Sequence, residues 1–370
     1  MSWAEGGRRV RLYMSIAAQE DNLGDIAIRR VALSWIVDAG AQVTVLTGSM
    51  SPDYVAAIGI PSGVEILRGR AQFLRNLVRR APSERAIIVF APGPTGVDRR
   101  IRGLVRSGLN LALASAARWS GGGTISLGRA YRGRPGLVLR IEKTIAARAL
   151  LHSVRDPLSS SLIGSSARLE PDLAFDQVAF DEVSACANGA VRQSAAICIR
   201  DAEQYPLEML SVLIREARSS GLHPMFVTQV QRDNTGHARL ARRFDVRHVS
   251  WEEGVSHETQ WTRVREAYLQ SQFVVSNRLH ALLFGVEAMA VPVALGPSDK
   301  APSTLEPFIE LVTLQPNDAS RVEGTFVDYT ARAARLRLAR ASAVDRLVAL
   351  RDDMALAVHE RDSTITAPRR

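Results

Sequence analysis

Lysine is nearly missing from this chain. Of 370 residues only Lys143 and Lys300 carry an ε-ammonium, and arginine supplies the rest of a net charge of +9. Such a bias reflects genome composition as well as function, so it favours anionic ligands only in general terms, phosphorylated substrates and lipid headgroups among them. The basic residues are dispersed and not interleaved with aromatics, which total 6% of the sequence. That spread argues against a nucleic-acid groove. Cysteine is scarce too: Cys186 and Cys198 are too few for a disulfide framework or a structural zinc site. Both lie in or beside apolar segments, read as small core residues, and fit a reducing compartment. No apolar run reaches the ~18 residues of a membrane-crossing helix. Residues 1–7 lack the apolar core and cleavage site of a secretory signal, so the expected location is the cytoplasm. Neither GxGxxG nor GxxxxGK[ST] occurs, which leaves a dinucleotide cofactor and a P-loop unsupported. No metal or redox cofactor is expected.

What is present is an α/β alternation. Hydrophobic residues at 46% and charged residues at 23% suit a soluble globular protein, and the length suits two domains. Residues 10–16, 42–47 and 85–90 read as strands, and 25–39 and 99–117 as helices, with Asp25 able to cap and Gly40 able to end the first. A glycine turn at 121–123 is followed by a helix over 137–149, a strand over 150–154 and a helix over 157–163. A second α/β series starts at the strand 195–199 and runs through helix 207–219, strand 224–230, helix 261–271, strand 273–276, helix 278–288 and strand 291–295. The expected organisation is an N-terminal Rossmann-like domain over 1–185, a second over 186–325, and a helical tail over 326–370, with a linker at 180–193. Two such halves facing one another leave a cleft outside the carboxyl ends of their strands, where ligands of these sheets bind.

Several segments fall at those ends. Asn22-Leu23-Gly24-Asp25 precedes the first helix, whose free amides favour an anion or sugar oxygens; capping by Asp25 alone is the alternative. Gly121-Gly122-Gly123 exposes backbone amides and permits close ligand approach, or is a flexible loop. Arg155, in Ser153-Val154-Arg155-Asp156, can grip a phosphate or carboxylate, or pair locally with Asp156. Residues 171–175 (PDLAF) read as a short strand and turn. The sharpest segment is Ser276-Asn277-Arg278-Leu279-His280. There an arginine and a histidine two apart, where an apolar strand meets a helix, form an anion clamp beside a proton donor; a packed, hydrogen-bonded histidine is the alternative. Arg200, closing the strand 195–199, and Lys300 complete the candidates.

In this order the segments NLGD (22–25), GGG (121–123), SVRD with its following serines (153–161), PDLAF (171–175), AICIR (195–200), FVTQVQRD (226–233), SNRLH (276–280) and AVPVAL (290–295) resemble the polysaccharide pyruvyl transferase family, over about residues 10–310. The resemblance implies a two-domain fold like the GT-B glycosyltransferases. It implies phosphoenolpyruvate as co-substrate and, as acceptor, two hydroxyls of one sugar in a cell-surface polysaccharide or glycolipid, lipid-linked acceptors included. By the same resemblance Arg155 and Arg278 hold phosphate and carboxylate, and His280 protonates the methylene carbon. Asn22, Gly24, Asp25, Gly122, Gly123, Arg200, Ser276 and Lys300 line the substrates, with the NLGD and GGG segments on the amino-terminal, acceptor side. Work at the inner face of the cytoplasmic membrane is compatible with the basic surface. Two stretches depart from the family pattern: residues 116–120 make a poor apolar strand before the glycines, and the loop 296–300 lacks an aromatic before Lys300. A nucleotide-sugar glycosyltransferase and a non-catalytic member of the fold are the competing readings.

Overall fold

The computed structural model describes residues 8–98, 101–176, 192–202, 205–297 and 300–360. Contacts divide them into two compact units. The first takes the described parts of Met1–Ala18, Ile28–Glu170 and Val348–Arg370; the second takes Gln19–Ala27 and Pro171–Leu347. The expected linker at 180–193 and the boundary at 185/186 fall almost wholly outside the described residues, as does Cys186. The tail helix does not stand apart, because its residues up to Leu347 group with the second unit and those from Val348 with the first.

In the first unit the strands lie in the order β3 (Glu65–Leu67), β2 (Gln42–Leu46), β1 (Arg9–Ser15), β4 (Glu84–Phe90), β6 (Gly123–Arg132), β7 (Leu151–Val154) and β8 (Arg168–Leu169), with β5 (Gly93–Gly96) beside β6. Every pairing is parallel. A parallel sheet is covered on both faces, so its strands carry near-continuous apolar runs. Leu12, Tyr13 and Met14 in β1 and Ala86 to Val89 in β4 are all buried. The helices α1 (Leu23–Asp38), α2 (Pro52–Ile58), α3 (Arg70–Arg80), α4 (Ile101–Trp119), α5 (Leu137–Ala146) and α6 (Pro157–Ile163) connect these strands.

β6 breaks the apolar rule with Arg129. Its guanidinium donates to Glu142 at 2.9 Å and to Thr95 Oγ1 at 3.2 and 2.9 Å, and Glu142 also accepts from Ser107 at 2.7 Å. The ion pair is almost fully buried, with side-chain exposures of 5% and 0%. Beside it the Tyr131 hydroxyl meets His152 Nε2 at 3.2 Å. Burial, aided by the Arg129 charge, pushes His152 down to about 3.

In the second unit the order is β11 (Arg247–Val249), β10 (His223–Val227), β9 (Ser194–Cys198), β12 (Ser271–Ser276), β13 (Val291–Leu295) and β14 (Val312–Leu314), again all parallel. Its helices are α7 (Leu207–Ser219), α8 (Asn234–Phe244), α9 (His257–Leu269), α10 (Leu279–Glu287), α11 (Lys300–Leu305) and the start of α12 (Tyr329–His359). Ile197, Phe226, Phe273, Val275 and Val293 fill the core. Strand order reverses between β9 and β12, and ligands of doubly wound sheets bind outside the carboxyl ends at that reversal. The α/β class with two doubly wound parallel sheets agrees with the sequence.

Candidate functional site

The reversal in the second sheet puts the ends of β9 and β12 side by side, with Ser276 in register with Cys198. The chain leaving β9 gives Arg200; the chain leaving β12 gives Asn277, Arg278 and, in the first turn of α10, His280. Local hydrogen bonds hold these two exits together. Ser276 Oγ donates to the Cys198 carbonyl at 2.5 Å and accepts from the Arg278 amide at 2.8 Å. The Asn277 amide spans Arg200, accepting from its N–H at 2.7 Å and donating to its carbonyl at 3.1 Å. Ser276 is thus a strut between strands, and Asn277 is a clamp. Arg200 itself is exposed, its side chain 3.2 Å from Asp201.

Arg278 and His280 each face a carboxylate from elsewhere in the unit. Arg278 is ion-paired with Asp233, and both are largely buried. Burial raises the Asp233 carboxyl above the usual range, and Arg278 only partly opposes that. His280, 9% exposed, has Nε2 at 4.0 Å from Asp172 Oδ2, so a protonated ring forms an ion pair there. Asp172 is 1% exposed and fixed by its own turn, Oδ1 accepting from the Ala174 amide at 3.0 Å. Sequence reading gave neither Asp172 nor Asp233 a role, although each lies in a segment that had been singled out. Beneath them burial pushes the Cys198 thiol up to about 12, so it stays a protonated core group.

The NLGD segment belongs to this unit, not to the amino-terminal one expected to carry the acceptor side. Asn22 forms an antiparallel bridge with Val230, Leu23 donates to the Gln229 carbonyl at 3.3 Å, and Gln231 donates to the Asp21 carbonyl at 2.9 Å. Arg232 grips Asp21 with two bonds of 2.6 and 2.5 Å. Burial alone would raise the Asp21 carboxyl, but the Arg232 guanidinium outweighs it and holds it below the ordinary value. His257 Nε2 donates to the Glu20 carbonyl at 2.7 Å. The cap assignment changes as well. α1 begins at Leu23, two residues earlier than expected, because Asn22 Oδ1 accepts from the Gly24 amide at 3.0 Å. Asp25 instead accepts from Gln19 at 3.3 Å.

Gly24 lies against His280. A Cβ there would stand 2.2 Å from His280 Nδ1, 2.4 Å from Cγ and 2.5 Å from Cβ, so only glycine fits. The first turns of α1 and α10 therefore meet at the imidazole. Helix starts carry unsatisfied amides and partial positive charge. The first amides of α1 are already taken, Leu23 bonding the Gln229 carbonyl and Gly24 bonding Asn22, so what these starts, the guanidinium and the imidazole offer an anion at the carboxyl edge of the sheet is positive charge.

The remaining candidates lie on other stretches of the chain. Arg155, 1% exposed, follows β7 in the first unit, and its amide donates to the Arg129 carbonyl at 3.3 Å. The ion partner of Asp156 is Arg132, at 3.0 Å, and not the neighbouring arginine. Gly122 and Gly123 are corrected from a ligand-facing to a packing position. They stand at the amino-terminal end of β6, away from the carboxyl ends, and a Cβ on Gly122 would fall 1.7 Å from the Ala86 carbonyl oxygen. The residues before them form no strand: α4 continues to Trp119, and Ser120 closes it, its amide bonded to Ala116 at 3.1 Å. Lys300 opens α11 and is exposed; Ser298 and Asp299 before it lie outside the described residues.

Comparison with known proteins agrees with this fold. HepE of Anabaena, solved with UDP and glucose, superposes with a TM-score of 0.55 at 10% identity, covering 95% of this chain and 99% of its own. A glycosyltransferase from Rickettsia africae gives 0.56 at 8% identity over 94% and 98%. UDP-GlcNAc 2-epimerase from Neisseria meningitidis, bound to UDP-GlcNAc, gives 0.53 at 8% identity over 92% and 100%. At such identities the likeness is one of fold, of the GT-B kind. Among curated proteins none matches the chain in sequence. The family of polysaccharide pyruvyl transferases does match, over residues 22–294, from the NLGD segment through SNRLH to β13. On that span, which is most of the chain, the protein belongs to the polysaccharide pyruvyl transferase family.

Proposed function

We propose that the chain moves the pyruvyl group of phosphoenolpyruvate onto two hydroxyls of one sugar residue, forming a cyclic ketal and releasing phosphate. The observation that carries this is the packing of His280 on Gly24, which brings two helix starts and Arg278 around one imidazole. His280 as imidazolium gives its proton to the methylene carbon, and C2 becomes an oxocarbenium-like centre. One sugar hydroxyl adds to C2 and loses its proton. The C2–O bond to phosphate then breaks, and the second hydroxyl closes the ketal. Arg278 offsets charge on the donor, and Asp172 holds the ring in register. Arg155 is assigned to the same donor by the family resemblance. No cofactor enters these steps, and a donor of central metabolism places the reaction in the cytoplasm.

Phosphorus and proton NMR of the enzyme with phosphoenolpyruvate and a panel of sugar acceptors tests the reading. Phosphate release coupled to a new ketal methyl signal is expected. His280→Ala should abolish release while phosphoenolpyruvate still binds, and Arg278→Ala should weaken that binding. Near-normal release by the histidine variant removes its assigned role. Stabilisation against heat by a nucleotide sugar but not by phosphoenolpyruvate overturns the donor.

A further inference from the structure

Helix α4 shows an unusual surface. It buries Ser107 and Ala117 on one side. On the other, Ile101 is 79% exposed, Val105 67%, Leu109 42% and Trp119 74%. At 3.6 residues per turn these four, with exposed Ala112, fall within an arc of about 80°. A helix on a soluble surface normally turns charged residues outward there, and a continuous apolar stripe marks a binding face. The helix has no acidic residue, and exposed Arg102 and Arg106 follow one edge of the stripe.

We propose that this face of α4 is the surface by which the protein docks on an anionic lipid membrane. The helix lies along the bilayer, its apolar stripe in the boundary between headgroups and acyl chains and its arginines on lipid phosphates. Charge decides between the occupants of such a face. A second copy of the chain seated on it would set arginine against arginine, with no carboxylate on either α4 to answer them. A phosphate-bearing surface answers all of them. The proposal does not depend on the donor assigned above.

Full-length protein sedimented with vesicles of phosphatidylcholine, alone or mixed with phosphatidylglycerol, tests it. Binding should favour the mixed vesicles, weaken with added salt, and shift tryptophan emission to the blue; Trp119→Phe should remove the shift. Val105→Asp with Leu109→Asp should lower partitioning by about a hundredfold, and Arg102→Glu with Arg106→Glu by at least about tenfold. All these positions are exposed, and so is the one bond of Arg106 to the Gly96 carbonyl, so thermal melting should change little. Failure of the wild type to bind either vesicle overturns the proposal, and so does binding that survives both double variants. A wild-type dimer broken by the Val105 and Leu109 changes, with vesicles left unbound, reassigns the face to self-association.

Discussion

Gly24→Ala adds one methyl group, and the structure says where it goes. Its carbon would lie 2.5 Å from His280 Cβ as well as 2.2 Å from Nδ1. Rotating the imidazole moves Nδ1 but leaves Cβ in place, because the backbone of α10 fixes that atom. Relief therefore requires the first turns of α1 and α10 to separate by about 1 Å, since packed carbons approach no closer than about 3.5 Å. Overpacking of this kind costs about 1–3 kcal/mol, and exchanging glycine for alanine in a helix returns about 1 kcal/mol. The net loss of about 0–2 kcal/mol should lower the melting temperature by a few degrees at most. The loss of rate should be much larger. Displacing a catalytic group by about 1 Å costs about a hundredfold, so phosphate release should collapse in a protein that is still folded. The assay is release from phosphoenolpyruvate alongside a melting curve. If His280→Ala is inactive but Gly24→Ala turns over normally, the contact does not position the ring, and the reasoning is refuted.

Three further outcomes follow from buried groups. Asp172→Asn keeps the turn, since an amide oxygen can still accept from Ala174, but cannot pair with an imidazolium. It should lower kcat about ten- to a hundredfold while donor binding is unchanged; a shift in donor binding alone would assign Asp172 to the donor. Glu142→Ala strands the Arg129 charge in the core, and urea unfolding should show a loss of about 3–5 kcal/mol. His152 and His237 are both held down to about 3, burial being the larger cause, with His237 fixed between Ile199 and Thr228. Both stay neutral when folded but protonate once unfolded near the ordinary value of 6.5. Their stabilisation is complete above that value and is lost as pH falls towards 3, by up to about 5 kcal/mol each. Urea midpoints should drop through that window, and less so in His152→Phe; equal slopes in the two proteins would remove the histidine from the account.

The elements that sequence patterns reveal are those whose stabilisation is local. β13, α6 and α7 keep their expected bounds because an apolar run, a proline or a glycine marks each end. β3, β11 and β14 have three residues each and escape notice, since so short an edge strand is defined by its neighbour's hydrogen bonds. β6 escapes for another reason. It is buried yet carries Gly128 and Arg129, and the carboxylate that makes a buried arginine tolerable lies on α5. The two partners are thirteen residues apart and on different elements, so neither the strand pattern nor the helix pattern contains both.

The same division runs through the candidate site. SNRLH stands out in the sequence because a guanidinium and an imidazole directly follow an apolar strand, although the pattern alone leaves a packed histidine as the alternative. What those groups face is invisible, because Asp172 and Asp233 approach them only through the fold. The NLGD segment is the sharpest case, since a turn before a helix says nothing about which sheet it joins. A bridge to Val230, the Asp21–Arg232 pair and the missing side chain of Gly24 settle it, and each is a long-range fact. The glycine then has a different meaning from the one its turn suggested. Conformational freedom would tolerate a small side chain when the turn is relaxed; contact with His280 tolerates none. If Gly24→Ala loses activity and a second substitution shortening His280, to serine, restores the melting temperature without restoring turnover, packing and chemistry at this contact are separated, and the glycine is there for the imidazole.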